Sequence, residues 1–117
     1  RGFIFGAAAS VRSNIPFIPI RKPGKLPGKV IKQSYKLEYG KDIIEIQDGQ
    51  ILKKDNILLI DDLIATGGTA NASCKLIRKF NRKKITAFFV VNLHNLHGSD
   101  KLKANNVKVI SLYDTIG

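Results

Sequence analysis

The chain has 117 residues, 44% of them hydrophobic, and 20 Lys and Arg against 9 Asp and Glu give a formal net charge of +11. That length bounds it to one small domain, and the apolar fraction suits a packed core rather than disorder. No apolar run approaches the roughly 20 residues of a membrane-spanning helix, no signal-peptide pattern is present, and the lone Cys74 allows no intrachain disulfide, so a cytoplasmic setting is expected. The cationic excess fits a polyanionic partner, nucleic acid or a phosphorylated small molecule. A compositional bias that also enriches Ile and Asn accounts for it equally well.

The chain opens on Arg1, already inside an apolar helical pattern, so part of a longer protein is expected. Gly2 to about Ser13, rich in Ala and aliphatics, predicts a helix that ends at Asn14. "PFIPI" (Pro16 to Ile20) reads as a short strand whose prolines place it at an edge or stop it early. "RKPGKLPGK" follows, with two Pro-Gly pairs among basic residues, and predicts a mobile loop. Val30–Leu37 and Ile43–Ile46 pair as a hairpin around "EYGKD", with Gly40 in its turn. Asp48-Gly49 is a further turn. Ile57 to Ile60 is a continuous aliphatic run, as in a parallel-sheet strand buried on both faces. Thr69 to about Phe80 predicts a helix with basic residues near its C-terminal end, where they favour the dipole. The lone thiol of Cys74 on that helix reads as buried and structural. Ile85–Val91 is a second buried strand, "HGSDKL" a turn into a short helix, and Val107–Leu112 a last strand. Strand-helix-strand order in the second half predicts a parallel α/β sheet.

The densest chemistry lies in "ILLIDDLIATGGTANAS", Ile57 to Ser73. Ligands of open α/β sheets bind beyond the carboxyl ends of the strands, where Asp61 and Asp62 are expected. Gly67 and Gly68 remove side chains so that backbone N–H groups can converge on an anion. Thr66 and Thr69 add hydroxyls, and the N-terminus of the following helix favours negative charge. This is a phosphate cradle, yet it fits neither GxxxxGK(S/T) nor GxGxxG. Two carboxylates just before it would repel a bare phosphate, but they suit a ligand with hydroxyls between charged ends, such as a ribose 5-phosphate. Mg2+ could lie close by, completed by ligand and water oxygens. The plain structural alternative is that both acids cap a turn and TGGT is an ordinary tight loop.

"ILLIDDLIATGGT" resembles the phosphoribosyl-pyrophosphate motif of the type I phosphoribosyltransferases. "RGFIFG", "IRKPGKLPG", "SYKLEYGKD" and "IEIQ" resemble, in order and spacing, the adenine phosphoribosyltransferases within them. The resemblance implies an α/β fold, the type I phosphoribosyltransferase fold, with a mostly parallel central sheet flanked by helices and a mobile basic β-hairpin loop over residues 21–43. It implies a single domain over residues 1–117 lacking its N-terminal portion. It also implies transfer of 5-phosphoribosyl from phosphoribosyl pyrophosphate to adenine, giving AMP and pyrophosphate, in purine salvage. By the same resemblance Ala65, Thr66, Gly67, Gly68 and Thr69 hold the 5-phosphate, and Asp61 and Asp62 hold the ribose hydroxyls and support positive charge on the sugar. Arg1, Arg21, Lys22 and Lys25 hold the pyrophosphate, and Glu38 acts at purine N7. Mg2+ is expected mainly through the phosphoribosyl pyrophosphate, with no metal ligand in the chain itself.

After Val91 the resemblance weakens, since "NLHNLHGSDKL" stands where the family usually shows an acid and a "KGRE"-like turn. His94 and His97 lack the surrounding ligands a metal pair needs. One rival is a regulator with the same fold that binds phosphoribosyl pyrophosphate and DNA; retention of Glu38 and of the basic loop argues against it, so a nucleic-acid partner is not expected. Another is an enzyme for a different purine base. A homodimer is expected from the resemblance alone, and no membrane partner.

Overall fold

The computed structural model describes residues 1–117. Its elements in chain order are α1 (Gly2–Ser13), β1 (Ile20–Arg21), β2 (Val30–Leu37), β3 (Gly40–Gln47), β4 (Leu58–Ile64), α2 (Gly68–Ile77), β5 (Ile85–Leu93), a 3-10 turn (His94–Leu96), α3 (Gly98–Ala104) and β6 (Val107–Thr115). They divide into two compact units: residues 1–17, 57–67 and 84–117 form the first, and residues 18–56 and 68–83 the second.

The first unit is built on a parallel sheet in the order β4-β5-β6. Asp61 stands opposite Phe89 and Ile85 opposite Val107. The central strand β5 alternates, so that Ile85, Ala87 and Phe89 are each 0% exposed, as the period of two requires when one face is fully covered. Ile64, Leu102 and Val107 complete the buried apolar set of this unit. Helix α1 packs on β4 and α3 on β6. Asn14 ends α1 in the left-handed conformation, φ 54°, and donates its backbone N–H to Ser10 O, a role Asn fills because its side chain tolerates that region. Asn92 and Ser99, both buried, meet where Asn92 Nδ2 donates to Ser99 Oγ at 3.2 Å.

The second unit holds an antiparallel sheet in the order β1-β3-β2. Ile44 and Ile46 of β3 pack with Ala72 and Leu76 of α2, with Ile20, Ile31, Tyr35 and Phe80 around them. Truncating Leu76, which is 0% exposed, to Ala would cost about 2–5 kcal/mol in lost burial and cavity. Asn81, 1% exposed, donates Nδ2 to the carbonyls of Leu52 and Asp55 at 2.9 and 2.8 Å and accepts from Lys83 N at 2.9 Å. It thereby closes the end of α2 onto the 51–56 segment.

Three expectations need correction. The strand predicted from Pro16 to Ile20 is reduced to the two residues Ile20–Arg21, because Pro16 and Pro19 carry no N–H for a ladder. Gly40 is not within the hairpin turn but opens β3, paired with Leu37; the turn is Glu38-Tyr39. The run at Ile57–Ile60 is not buried on both faces, and the strand does not stop before the acids. It is an edge strand with Leu58 55% exposed, and pairing with β5 carries it through Asp61 and Asp62 to Ile64.

Candidate active site

In the first unit the acids lie in the second half of β4. Asp61 faces the start of α1, where the buried Gly2 comes so close that a Cβ there would stand 2.4 Å from Asp61 Oδ1 and 2.8 Å from its Cα. Asp61 Oδ1 accepts the backbone N–H of Asp62 at 2.9 Å. Burial pushes the Asp61 carboxyl above its ordinary value; the Asp62 N–H opposes this and the neighbouring Asp62 carboxylate adds to it. Burial would also raise Asp62, but Arg1, whose Nε donates to Asp62 Oδ2 at 2.7 Å, joins with the Asp61 contact to outweigh it and hold Asp62 below the ordinary value. Adjacent carboxyls in different surroundings are thus driven apart, one toward the neutral form and the other toward the anion. Arg1 itself stays open to solvent, its side chain 79% exposed.

The chain after β4 turns sharply at Gly67, φ 83°, a conformation that costs an L side chain but not glycine. The bend is gripped by the start of α3. Gly98 N donates to Ala65 O at 3.0 Å, and a Cβ on Gly98 would lie 2.4 Å from Ala65 O, 2.7 Å from Gly67 N and 2.9 Å from Thr66 C. A Cβ on Gly67 would in turn lie 2.9 Å from the Gly98 Cα. Two glycines therefore let two backbones touch, and residues 65–67 are held in place from the "HGSDKL" segment. Thr66 is exposed and its neighbour Gly67 buried.

The second unit takes over at Gly68, the first residue of α2. The first-turn N–H groups of a helix have no partner within it and suit an anion. A Cβ on Gly68 would meet only Tyr35 Cδ2, at 3.9 Å, so packing within the protein does not demand glycine there. Thr69 Oγ1 donates to Tyr35 Oη at 3.3 Å. Tyr35 Oη donates to Asp42 Oδ2 at 3.3 Å, and Lys22 Nζ donates to Tyr35 Oη at 3.0 Å and is ion-paired with Asp42. The hydrogen bond to Asp42 raises the Lys22 ammonium and the same bond lowers the Asp42 carboxyl. Arg21 Nη1 reaches Lys25 O at 3.5 Å, and the Gly24 N–H is bound by Glu45 Oε1 at 3.1 Å. Glu38 lies in the exposed hairpin turn with Tyr39, which is 90% exposed.

Arg1, Asp61, Asp62, Ala65, Thr66 and Gly67 thus fall in the first unit, and Gly68, Thr69, Arg21, Lys22, Lys25 and Glu38 in the second. Sequence reasoning missed Gly2 and Gly98, which act by lacking a side chain against a backbone distant in sequence. It also missed Asp42 and Glu45, which tie the basic loop. Asp42 and Glu45 stand inside the quoted "SYKLEYGKD" and "IEIQ" stretches, so a signal existed; for Gly98 the only hint was a glycine at the mouth of a short helix.

Residues 3–116 match the family described as PRTase-CE. An adenine phosphoribosyltransferase from Photobacterium profundum is 48% identical over 117 residues, covering 100% of this chain and 67% of the relative. Among solved structures, the adenine phosphoribosyltransferase of Thermoanaerobacter pseudethanolicus superposes with a TM-score of 0.90 at 40% identity, over 98% of this chain and 66% of that one. The enzyme of Trypanosoma brucei, in complex with AMP, pyrophosphate and ribose-5-phosphate, does so at 0.86 and 31% identity, over 97% of this chain and 52% of that one. The chain spans about two-thirds of the length of the curated relatives it matches, 64% to 67% in the first three. With a parallel sheet flanked by helices, an acid pair in β4 and a glycine-bent loop opening α2, it has the type I fold and belongs to the phosphoribosyltransferase family, among the adenine phosphoribosyltransferases.

Proposed function

We propose that the protein transfers the 5-phosphoribosyl group of phosphoribosyl pyrophosphate to adenine, releasing AMP and pyrophosphate, as part of purine salvage in the cytoplasm. The observation that carries this reading is the passage from β4 into α2. There a half-buried acid pair is followed at once by a glycine-bent loop and a helix start whose second glycine no packing contact requires. A side-chain-free helix start admits a phosphate to the backbone N–H groups. In this reading Ala65, Thr66, Gly67, Gly68 and Thr69 hold the 5-phosphate, and Asp61 and Asp62 accept from the ribose 2- and 3-hydroxyls. The bond from the anomeric carbon to pyrophosphate breaks as the bond to adenine N9 forms, and the Asp62 anion offsets the positive charge on the sugar. The pyrophosphate takes the electron pair; Arg1, Arg21, Lys22 and Lys25 stabilise it. Lys22, held by Asp42 and Tyr35, would exchange those partners for phosphate oxygens as the mobile loop over residues 21–43 closes and excludes water. Glu38 acts at N7, where its carboxylate accepts the ring proton that adenine must give up as the N9 bond forms.

The side chains present fit Mg2+ only as a ligand-borne ion. No group of three or more His, Cys, Asp or Glu forms a ligand set, whereas one or two carboxylates with substrate phosphates is an ordinary Mg2+ environment. When bound, Mg2+ would neutralise the pyrophosphate as it leaves. A homodimer is part of the proposal, after the family. The test supplies phosphoribosyl pyrophosphate, Mg2+ and one purine base at a time to the purified protein and follows nucleotide formation. AMP from adenine is the expected product, and no nucleotide from adenine would overturn the reading.

A further inference from the structure

Apart from every residue assigned above, the second unit holds a hollow of about 570 Å3 lined by Lys53, Arg78, Lys79, Phe80, Arg82 and Lys83. No acid lines it. Asp55 is the only acid within residues 51–56 and 78–84, and its carboxylate is engaged by the Leu52 N–H at 2.8 Å. Lys53, Lys79, Arg82 and Lys83 take part in none of the ion pairs, which involve Arg1, Lys22, Lys29 and His97. The ammonium groups of Lys79 and Lys83 rest on neutral oxygens instead, Lys32 O at 2.5 Å and Asn56 Oδ1 at 3.2 Å.

Cations on a solvated face normally spread apart, since like charges repel over distances shorter than the screening length. Here the two segments that carry them are drawn together by the buried Asn81, whose three hydrogen bonds join residues 52, 55 and 83. A cation-lined hollow of ligand size is complementary to a multiply charged anion. We propose that it is a binding site for an oligophosphate, presented free, on a nucleotide or along a nucleic-acid strand. The Arg82 guanidinium offers a planar fork to phosphate oxygens and the lysines act as point charges. The half-buried Phe80 ring provides an apolar wall for a sugar or base. This site is separate from the transferase reading and does not depend on it.

The test titrates the protein with inorganic triphosphate by calorimetry at low salt, with AMP present at saturation to fill the candidate active site. Beyond any triphosphate taken by the candidate pyrophosphate residues, one per chain is expected, with an affinity that falls as salt rises and at least about tenfold weaker binding at this site in the Lys53→Ser/Arg82→Ser variant. Both side chains are exposed, so this variant should keep its melting temperature and its nucleotide-forming turnover. A parallel arm measures a short single-stranded oligonucleotide by fluorescence anisotropy. Oligonucleotide binding that the same variant weakens, without triphosphate binding, supports the site and identifies nucleic acid as the source of the phosphates. The proposal is overturned if neither probe binds. It is equally overturned if Lys53→Ser/Arg82→Ser changes neither affinity, or if Lys101→Ser/Lys103→Ser, which removes the same charge from α3, weakens binding as much.

Discussion

Replacing Gly98 by Ala tests whether the start of α3 positions the loop proposed to hold the 5-phosphate. The added Cβ would meet Ala65 O at 2.4 Å, Gly67 N at 2.7 Å and Thr66 C at 2.9 Å. All three are backbone atoms that cannot rotate away, and the nearest lies about 1 Å inside ordinary contact. Gly98 itself is not in the left-handed region, so the effect is steric rather than conformational. Overpacking of this kind costs about 1–3 kcal/mol, and losing the Gly98 N to Ala65 O bond adds about 0.5–1.5 kcal/mol. A total of about 2–4 kcal/mol lowers the melting temperature by roughly 10–20 °C in a domain of this size. If the loop moves by about 1 Å to relieve the clash, the phosphate end is held less well and kcat/KM falls by about 100-fold. The assay is the dissociation constant of ribose 5-phosphate, measured by calorimetry well below the lowered melting temperature, beside the KM for phosphoribosyl pyrophosphate. Both constants should rise together. A variant that melts early but binds ribose 5-phosphate as the parent does would refute the positioning role, and an unchanged melting temperature would refute the packing argument.

Glu38→Gln should lower turnover by about 100- to 10,000-fold, the usual range of general acid-base help, while affinity for ribose 5-phosphate persists; unchanged turnover would sink the role at N7. Because burial raises Asp61 above its ordinary value of 3.8, the folded state holds that proton more tightly than the unfolded one. Asp61→Asn should therefore stabilise the protein at pH 7, with a gain that fades as pH falls toward 3.8 and below. Asp62 is lowered, so its contribution has the opposite sign: Asp62→Asn should destabilise at neutral pH, with a cost that disappears once the acid falls below the folded Asp62 value. Urea unfolding across that pH range reads both signs at once. The Cys74 thiol is 0% exposed and pushed up to about 11 by burial, against a smaller lowering by the Arg78 charge. It should resist maleimide at pH 8 until denaturant is added, and rapid labelling of the native protein would contradict that.

Much of this protein was legible in one dimension because its signals are local. The helix from Gly2 to Ser13 with its Asn14 stop, the parallel strands around Ile85 and Val107, and the buried Cys74 all follow from patterns that neighbouring residues carry. The chemistry of the candidate site in β4 and the loop after it is also contiguous: acids, glycines and threonines stand in one run from Asp61 to Thr69. Strand limits were harder, since the extension of β4 through its acids depends on hydrogen bonds from β5, and the exposure of Leu58 depends on β4 lying at a sheet edge. Three things belonged to the tertiary structure alone. Arg1 meets Asp62 across a separation of 61 residues while burial acts on Asp61, so the two carboxyls are shifted in opposite directions although they are identical and adjacent. Gly98 grips the loop 65–67, and Gly2 gives Asp61 its close neighbour. Each is a contact between backbones or charges far apart in the chain, where no periodicity or motif can report a distance. The sequence by itself determined which residue types stand together in that run; the folded chain decided how they are held and which of the two carboxyls is shifted up and which down.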